Sequence, residues 1–246
     1  MQLQSGTELK SDRPRVVLHS TLRQADLMVP LERGGWKHMR IVPVFLAFFG
    51  FAALYVDVPI ARWFGAHNPI GIKKLFELSE AFGHGLGIAI ILLAVWVLAP
   101  DRRVRVPRLI ACTYLAGLAA ISLKLILARH RPYQTPLDSV HPPFGTFGNW
   151  LPWFTSSSAW ESFPSGHAAA AIGLALGLSW LLPRGRWMFA SLVLLVALQR
   201  MASGYHYLSD TLWGAAIGWV IATSFLPGGR ASRWFDRLEG QLRTDS

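Results

Sequence analysis

Ser203-Gly204-Tyr205-His206-Tyr207-Leu208-Ser209-Asp210 is a short polar break between two apolar runs, at about 187–203 and 210–226, with Arg200 just ahead of it. Its histidine and aspartate stand four residues apart. If Asp210 opens a helix that reaches back over His206, imidazole and carboxylate share one face. The acid then holds one ring nitrogen protonated and leaves the other free to attack an electrophile.

Outward from this break the chain continues in apolar runs. Four more precede it, at about 40–56, 82–99, 109–127 and 168–182. Each of the six is on the order of the ~20 residues that a helix needs to cross ~30 Å of hydrocarbon, and the short ones fit a tilted bundle. With 52% hydrophobic and 15% charged residues in 246, the composition departs from that of a soluble domain. The expected fold class is all-α: a polytopic membrane protein with six transmembrane helices in a bundle. Residues 1–39 form a polar tail in which Val17, Leu18 and Leu22 could make a short interfacial helix. Residues 40–226 form the six-helix domain and 227–246 a C-terminal tail. The first long apolar run begins only near Ile41, so the first span is expected to be an uncleaved anchor.

The charge pattern orients the bundle. The formal net charge is +10, and of 24 Lys and Arg residues 17 fall in the tails and the 100–108 and 183–186 connections. Six fall in the alternate connections, and Lys124 lies within a span. The positive-inside rule therefore places both termini in the cytoplasm and the 57–81, 128–167 and 200–210 segments outside. A nucleic-acid partner is excluded, because no basic stripe is interleaved with aromatics on a soluble fold. The single cysteine, Cys112, lies in an apolar run and reads as a small buried hydrophobe. Two outer segments read as interfacial. Ile72, Leu75, Phe76 and Ser79 follow helical spacing, with Lys73, Lys74, Glu77 and Glu80 at other positions and Trp63 and Phe64 as anchors. The 141–163 segment is rich in proline, glycine, serine and aromatic residues.

Three groups of residues on that outer side carry chemistry. Lys124 is an ionisable residue inside an apolar run, where it usually marks a site. Arg131 follows seven residues later, which on a continuous helix returns to within ~20° of the same face. Pro132 then ends the run. Pro164-Ser165-Gly166-His167 directly precedes an apolar run, so it is a helix N-terminus whose free N–H groups favour an anion. Ser165 can cap the helix or donate to phosphate, Gly166 lets backbone approach a ligand, and His167 is placed to protonate a leaving oxygen. Arg200 supplies a planar guanidinium suited to two phosphoryl oxygens. Each feature taken alone is also explained by ordinary capping, stop-transfer charge or an ion pair.

Taken together, Lys124 to Arg131-Pro132, Pro164-Ser165-Gly166-His167, and Arg200 to His206 and Asp210 resemble the three signature motifs of the type 2 phosphatidic acid phosphatase family, which is related to vanadium haloperoxidases. The similarity spans about residues 108–226 and includes all three spacings. The resemblance implies that Lys124, Arg131, Ser165, Gly166 and Arg200 bind phosphate. It implies that His206 is the nucleophile, that Asp210 orients it, and that His167 protonates the leaving alkoxide and then activates water. It implies no metal and no cofactor. One departure is Gln199, where the family usually has serine before the third-motif arginine.

The expected function is a metal-independent lipid phosphatase in a bilayer, working through a phosphohistidine. A bacterial inner membrane is expected, with the site on the extracytoplasmic side. Lateral access between helices is expected, gated by the 141–163 and 70–80 segments. Phosphatidic acid, phosphatidylglycerophosphate, undecaprenyl pyrophosphate and lipid A all present a terminal phosphate to such a site. A phosphotransferase with the same intermediate is the alternative within this chemistry. A non-catalytic transporter or scaffold of the same fold is the alternative outside it.

Overall fold

The computed structural model describes residues 39–67, 70–150 and 158–244. The polar tail with Val17, Leu18 and Leu22, and the aromatic residues Trp153 and Phe154, lie outside the described residues.

All six apolar runs form helices. They are α1 (Val42–Ala53), α4 (Gly85–Leu98), α5 (Val106–Lys124), α6 (Gly166–Leu181), α7 (Arg186–Ala202) and α8 (Leu208–Phe225). Between the first two of these runs lie α2 (Asp57–Ala66) and α3 (Ile70–Glu80), the second of which is the expected amphipathic segment. Local chemistry sets several boundaries. Prolines sit in the first turns of α1 and α5, where a missing N–H costs nothing. The Ser165 side chain caps α6 by accepting from Ala168 N, and Asp210 caps α8 by accepting from Tyr207 N.

The centre of the fold is α6. Its residues from Ala168 to Leu178 are buried on every side, against α5, α7 and α8. Small residues permit this. A Cβ on Gly214 or Gly218 of α8 would run into the carbonyl oxygen of Ser165 or Ala169, so these two glycines, one turn apart, set the spacing between α8 and α6.

The outer surface is inverted relative to a water-soluble protein. Phe45, Phe48, Leu93, Val97, Leu118 and Ile121 are each more than half exposed on the helices that enclose α6. By length and composition, one helix among the described residues can cross a membrane by itself, Pro100–Lys124 taken with its 3₁₀ lead-in. The count reaches three if each bent pair is one span, α1 with α2 at 75° and α3 with α4 at 67°. The other apolar helices are shorter, or their windows are diluted by small and polar residues.

Two features depart from the sequence reading. First, the helix carrying Lys124 stops there. The chain then extends through β1 (Leu127–Arg129), which pairs antiparallel with β2 (Phe147–Trp150), Arg129 opposite Phe147. Arg131 has extended backbone with ψ 145°, so it does not stand two helical turns above Lys124 on one face. Pro132 disfavours helix at Arg131, and the preceding residues instead satisfy their backbone groups in the ribbon. Second, the C-terminal tail contains a helix, α9 (Ser232–Thr244). It docks on buried Arg108, which donates to Asp236 and Glu239, each at 2.6 Å, and to the Phe225 carbonyl at 3.1 Å. The same guanidinium packs against the Trp180 and Phe235 rings.

Candidate active site

The N-termini of α6 and α8 meet at one end of the bundle. Ser165 N donates to the Asp210 carbonyl at 3.0 Å, tying the two helix starts together. The chain reaches α8 through a tight turn at Gly204, whose φ of +71° suits glycine. That turn is fastened to Tyr133 N through the Gly204 carbonyl at 3.1 Å. The turn delivers His206 just before α8 begins.

His206 is 3% exposed and does not share a helix face with Asp210, because α8 starts at Leu208. Its Nδ1 lies 2.6 Å from the Ser162 carbonyl, while Asp210 Oδ2 stands at 3.8 Å. A carbonyl only accepts, so Nδ1 carries the proton and Nε2 keeps its lone pair. The four-residue spacing predicts that Asp210 makes this orienting bond. In the structure the backbone of Ser162 makes it, and Asp210 supplies a charge one layer further out. Asp210 Oδ2 instead accepts from Ser162 Oγ at 2.5 Å and Tyr207 N at 2.8 Å.

Behind Asp210 lies a buried ion network that sequence reasoning missed. Arg129 has no solvent exposure and bridges two carboxylates, pairing with Asp210 Oδ1 and with Asp57 Oδ2, the latter at 2.7 Å. Its remaining donors reach Ser209 Oγ at 2.7 Å and Thr146 Oγ1 at 2.9 Å. Asp57 also accepts from Ser209 N at 2.9 Å, so both acids satisfy N–H groups at the start of α8. The guanidinium is sandwiched between the Phe147 and Tyr207 rings, 4.6 and 4.1 Å from their centroids. The one sequence signal was Asp57 itself, an acid set directly after an apolar run.

The remaining predicted residues gather in front of His206. Arg131 and Arg200 both lie against the Tyr205 ring, at 5.2 and 4.4 Å from its centroid. Lys124 Nζ donates to the Glu161 carbonyl at 2.7 Å, and the Glu161 carboxylate lies 3.8 Å from Arg131. Arg200 Nη1 donates to Glu80 Oε1 at 2.7 Å, and that same oxygen is 3.8 Å from His167 Nε2. Glu80 had read as the solvated face of an amphipathic helix. Three buried nitrogens here, Arg131 Nε, His167 Nε2 and Arg200 Nε, have no hydrogen-bond partner among the described residues. Such buried polar atoms are costly unless a ligand satisfies them.

Lys124, Gly166 and His167 line a cavity of about 850 Å³ that runs from the polar cluster down an apolar groove between α4 and α5, past Ile88, Leu118 and Ile121. Gly83 and His84 after α3, and Trp160 and Glu161 of the aromatic segment, form its rim. Of the two expected gating segments, 141–163 reaches the cavity through Trp160 and Glu161, whereas Gly83 and His84 lie just beyond the 70–80 segment. No cluster of His, Cys, Asp and Glu arranged to hold a metal occurs among the described residues.

A helical bundle whose two central N-termini face a cluster of arginine, lysine and histidine defines a family. The model of the PAP2 superfamily matches residues 105–234, more than half of the chain, and the chain belongs to that superfamily. Among its relatives, the lipid A 1-phosphatase of Rhizobium etli is 30% identical over 181 residues, covering 67% of this chain and 73% of the relative. The lipid A 1-phosphatase of Rhizobium johnstonii is 36% identical over 103 residues, 42% of this chain and 39% of the relative. Two crystal structures share the fold. Aquifex aeolicus LpxE superposes with a TM-score of 0.51 at 22% identity, over 68% of this chain and 92% of that one. The transmembrane PAP2 type phosphatidylglycerolphosphate phosphatase of Bacillus subtilis superposes with a TM-score of 0.55 at 18% identity, over 78% and 97%.

Proposed function

We propose that this chain is an integral-membrane lipid phosphatase that removes a terminal phosphate through a phosphohistidine on His206, without a metal. The observation that carries the reading is the set of unpartnered buried nitrogens on Arg131, His167 and Arg200, gathered with Lys124 beside a cavity that turns apolar below them. Polar above and apolar below is the shape of a phosphate on a lipid chain.

The geometry supports the following course of reaction. Lys124, Arg131, Arg200, Ser165 and the N–H groups around Gly166 hold the phosphoryl oxygens, and their charge stabilises the transition state. His206 Nε2 attacks phosphorus while Nδ1 keeps its proton and donates it in a hydrogen bond to Ser162 O, and the charge developing on the ring is offset by Asp210. The P–O bond to the lipid breaks, and the departing alkoxide takes a proton from His167. His167 then removes a proton from water, whose oxygen attacks phosphorus. The P–N bond breaks, releasing inorganic phosphate and neutral His206.

Six spans with both termini cytoplasmic, over the domain 40–226, complete the proposal. The positive-inside asymmetry supports them, with the site on the extracytoplasmic face of a bacterial inner membrane. The names of the curated relatives make lipid A the first substrate to test. Detergent-purified protein with EDTA present is expected to release phosphate from lipid A, or from phosphatidic acid, phosphatidylglycerophosphate or undecaprenyl pyrophosphate, and orthovanadate should compete. Release that requires added magnesium would overturn the metal-independent mechanism.

A pH dependence follows from burial. Desolvation pushes the His206 imidazole down to about 4, against the opposing pull of Asp210. The nucleophile therefore stays neutral as pH falls through 6. Corrected for the ionisation of the substrate and of the His167 acid, kcat/KM should show no loss from protonation of the nucleophile between pH 7 and 5.5, where an unshifted imidazole would be about 90% protonated. A fall in corrected kcat/KM with a midpoint near pH 6.5 on acidification would contradict this placement.

A further inference from the structure

Glu80 at the end of α3 and Gln199 near the end of α7 form a unit that the phosphate-binding motifs do not explain. Glu80 Oε1 accepts from Arg200 Nη1 at 2.7 Å, and its Oε2 accepts from Gln199 Nε2 at 3.1 Å. The Gln199 amide is itself fixed by Ser203 Oγ at 3.1 Å. Glu80 Oε1 also lies 3.8 Å from His167 Nε2, so the carboxylate stands between the arginine and the histidine that face the leaving group.

A carboxylate on a guanidinium occupies the place of one phosphoryl oxygen, since the same planar donor serves both anions. A phosphate held by Arg200 and a carboxylate held by Arg200 would be two like charges a few ångströms apart, partly screened from water. Both are not held together without a large repulsion. Glu80 has somewhere to go: its side chain is about one-third exposed, at the last residue of α3. Gln199 explains why the carboxylate stays until displaced. A serine at this position would end at Oγ, short of the Nε2 position from which Gln199 bonds Glu80.

We propose that Glu80, docked by Gln199, competes with the substrate's phosphate for Arg200 and so sets the anion affinity of the site. This rests on reading Arg200 as a phosphate ligand. Binding is then a displacement, in which the arriving anion takes Arg200 and Glu80 withdraws toward solvent. A mere structural tie between α3 and α7 would behave in the opposite way, because loosening it would weaken ligand binding.

Orthovanadate affinity, measured by titration calorimetry on the full chain in detergent, separates these cases. Glu80→Gln keeps one carbonyl oxygen for Arg200 but removes the charge. It should bind vanadate about tenfold more tightly, the effect being moderated by exposure and salt. Gln199→Ser should tighten binding by a smaller factor, and adding it to Glu80→Gln should tighten no further, because both changes remove one competitor. KM for the lipid phosphate should fall in Glu80→Gln without a rise in kcat. Unchanged or weaker vanadate binding in folded Glu80→Gln, or in Gln199→Ser, would overturn the proposal while leaving the phosphatase reading intact. Vanadate binding that survives Arg200→Ala unchanged would overturn both.

Discussion

His206→Ala is expected to lower phosphate release by at least about 10⁴-fold, because it removes the group assigned the attack on phosphorus and leaves His167 to proton transfer. That loss corresponds to about 5.5 kcal/mol of transition-state stabilisation. The variant should stay folded, since the Arg129 network that fixes the start of α8 does not pass through the imidazole. Vanadate should still bind, held by Lys124, Arg131 and Arg200, so chemistry and binding separate cleanly. Full turnover in His206→Ala would remove the phosphohistidine from the mechanism. A companion variant sharpens the point. Where an aspartate alone fixes the tautomer of a catalytic histidine, changing it to asparagine costs about 10⁴ in kcat. Here the Ser162 carbonyl fixes the tautomer at 2.6 Å, and Asp210 Oδ2 stands 3.8 Å away. Asp210→Asn should therefore lose only the stabilising charge, on the order of 10–100-fold, measured below the unfolding temperature of a variant that also loses part of its helix cap.

Much of this was legible in the sequence because it is local. A run of apolar residues forms a helix wherever it sits, and Ser165 or Asp210 caps the helix it precedes or opens. The three motif segments lie at helix ends on one side of the charge pattern, and the structure gathers all eight of their residues at one end of the bundle. What the sequence hid was nonlocal or belonged to the backbone. The partner of His206 is a main-chain carbonyl 44 residues away, which leaves no trace in residue type. Glu80 and Gln199 are 119 positions apart, and an acid on an amphipathic helix ordinarily faces water. Spacing alone places Arg131 on a helix, although Pro132 argues against it. The chain leaves the helix seven residues earlier than the arginine, because the extended segment lets Arg129 reach Asp57 and Asp210.

Arg129→Met is the substitution expected to cost the fold most. Methionine fills a similar volume but leaves Asp57 and Asp210, both fully buried, facing each other without a cation. Removing one partner of a buried ion cluster typically costs ~3–5 kcal/mol, since a carboxylate must then stay charged in a poor dielectric or take up a proton. Asp57 is the acid that will yield: burial already holds its carboxyl above the usual range despite the attraction of Arg129. Lysine should not rescue the position, because one ammonium cannot fork to two carboxylates and two hydroxyls as the guanidinium does. The double variant Arg129→Met with Asp57→Asn should recover part of the lost stability, because it removes the stranded charge. Thermal unfolding in detergent would read this order: wild type highest, the double variant between, Arg129→Met lowest. An unfolding temperature for Arg129→Met equal to wild type would mean that the network does not hold α2, the β1–β2 ribbon and the start of α8 together. In that case the position of His206 would rest on the Gly204 turn and the Ser162 carbonyl alone.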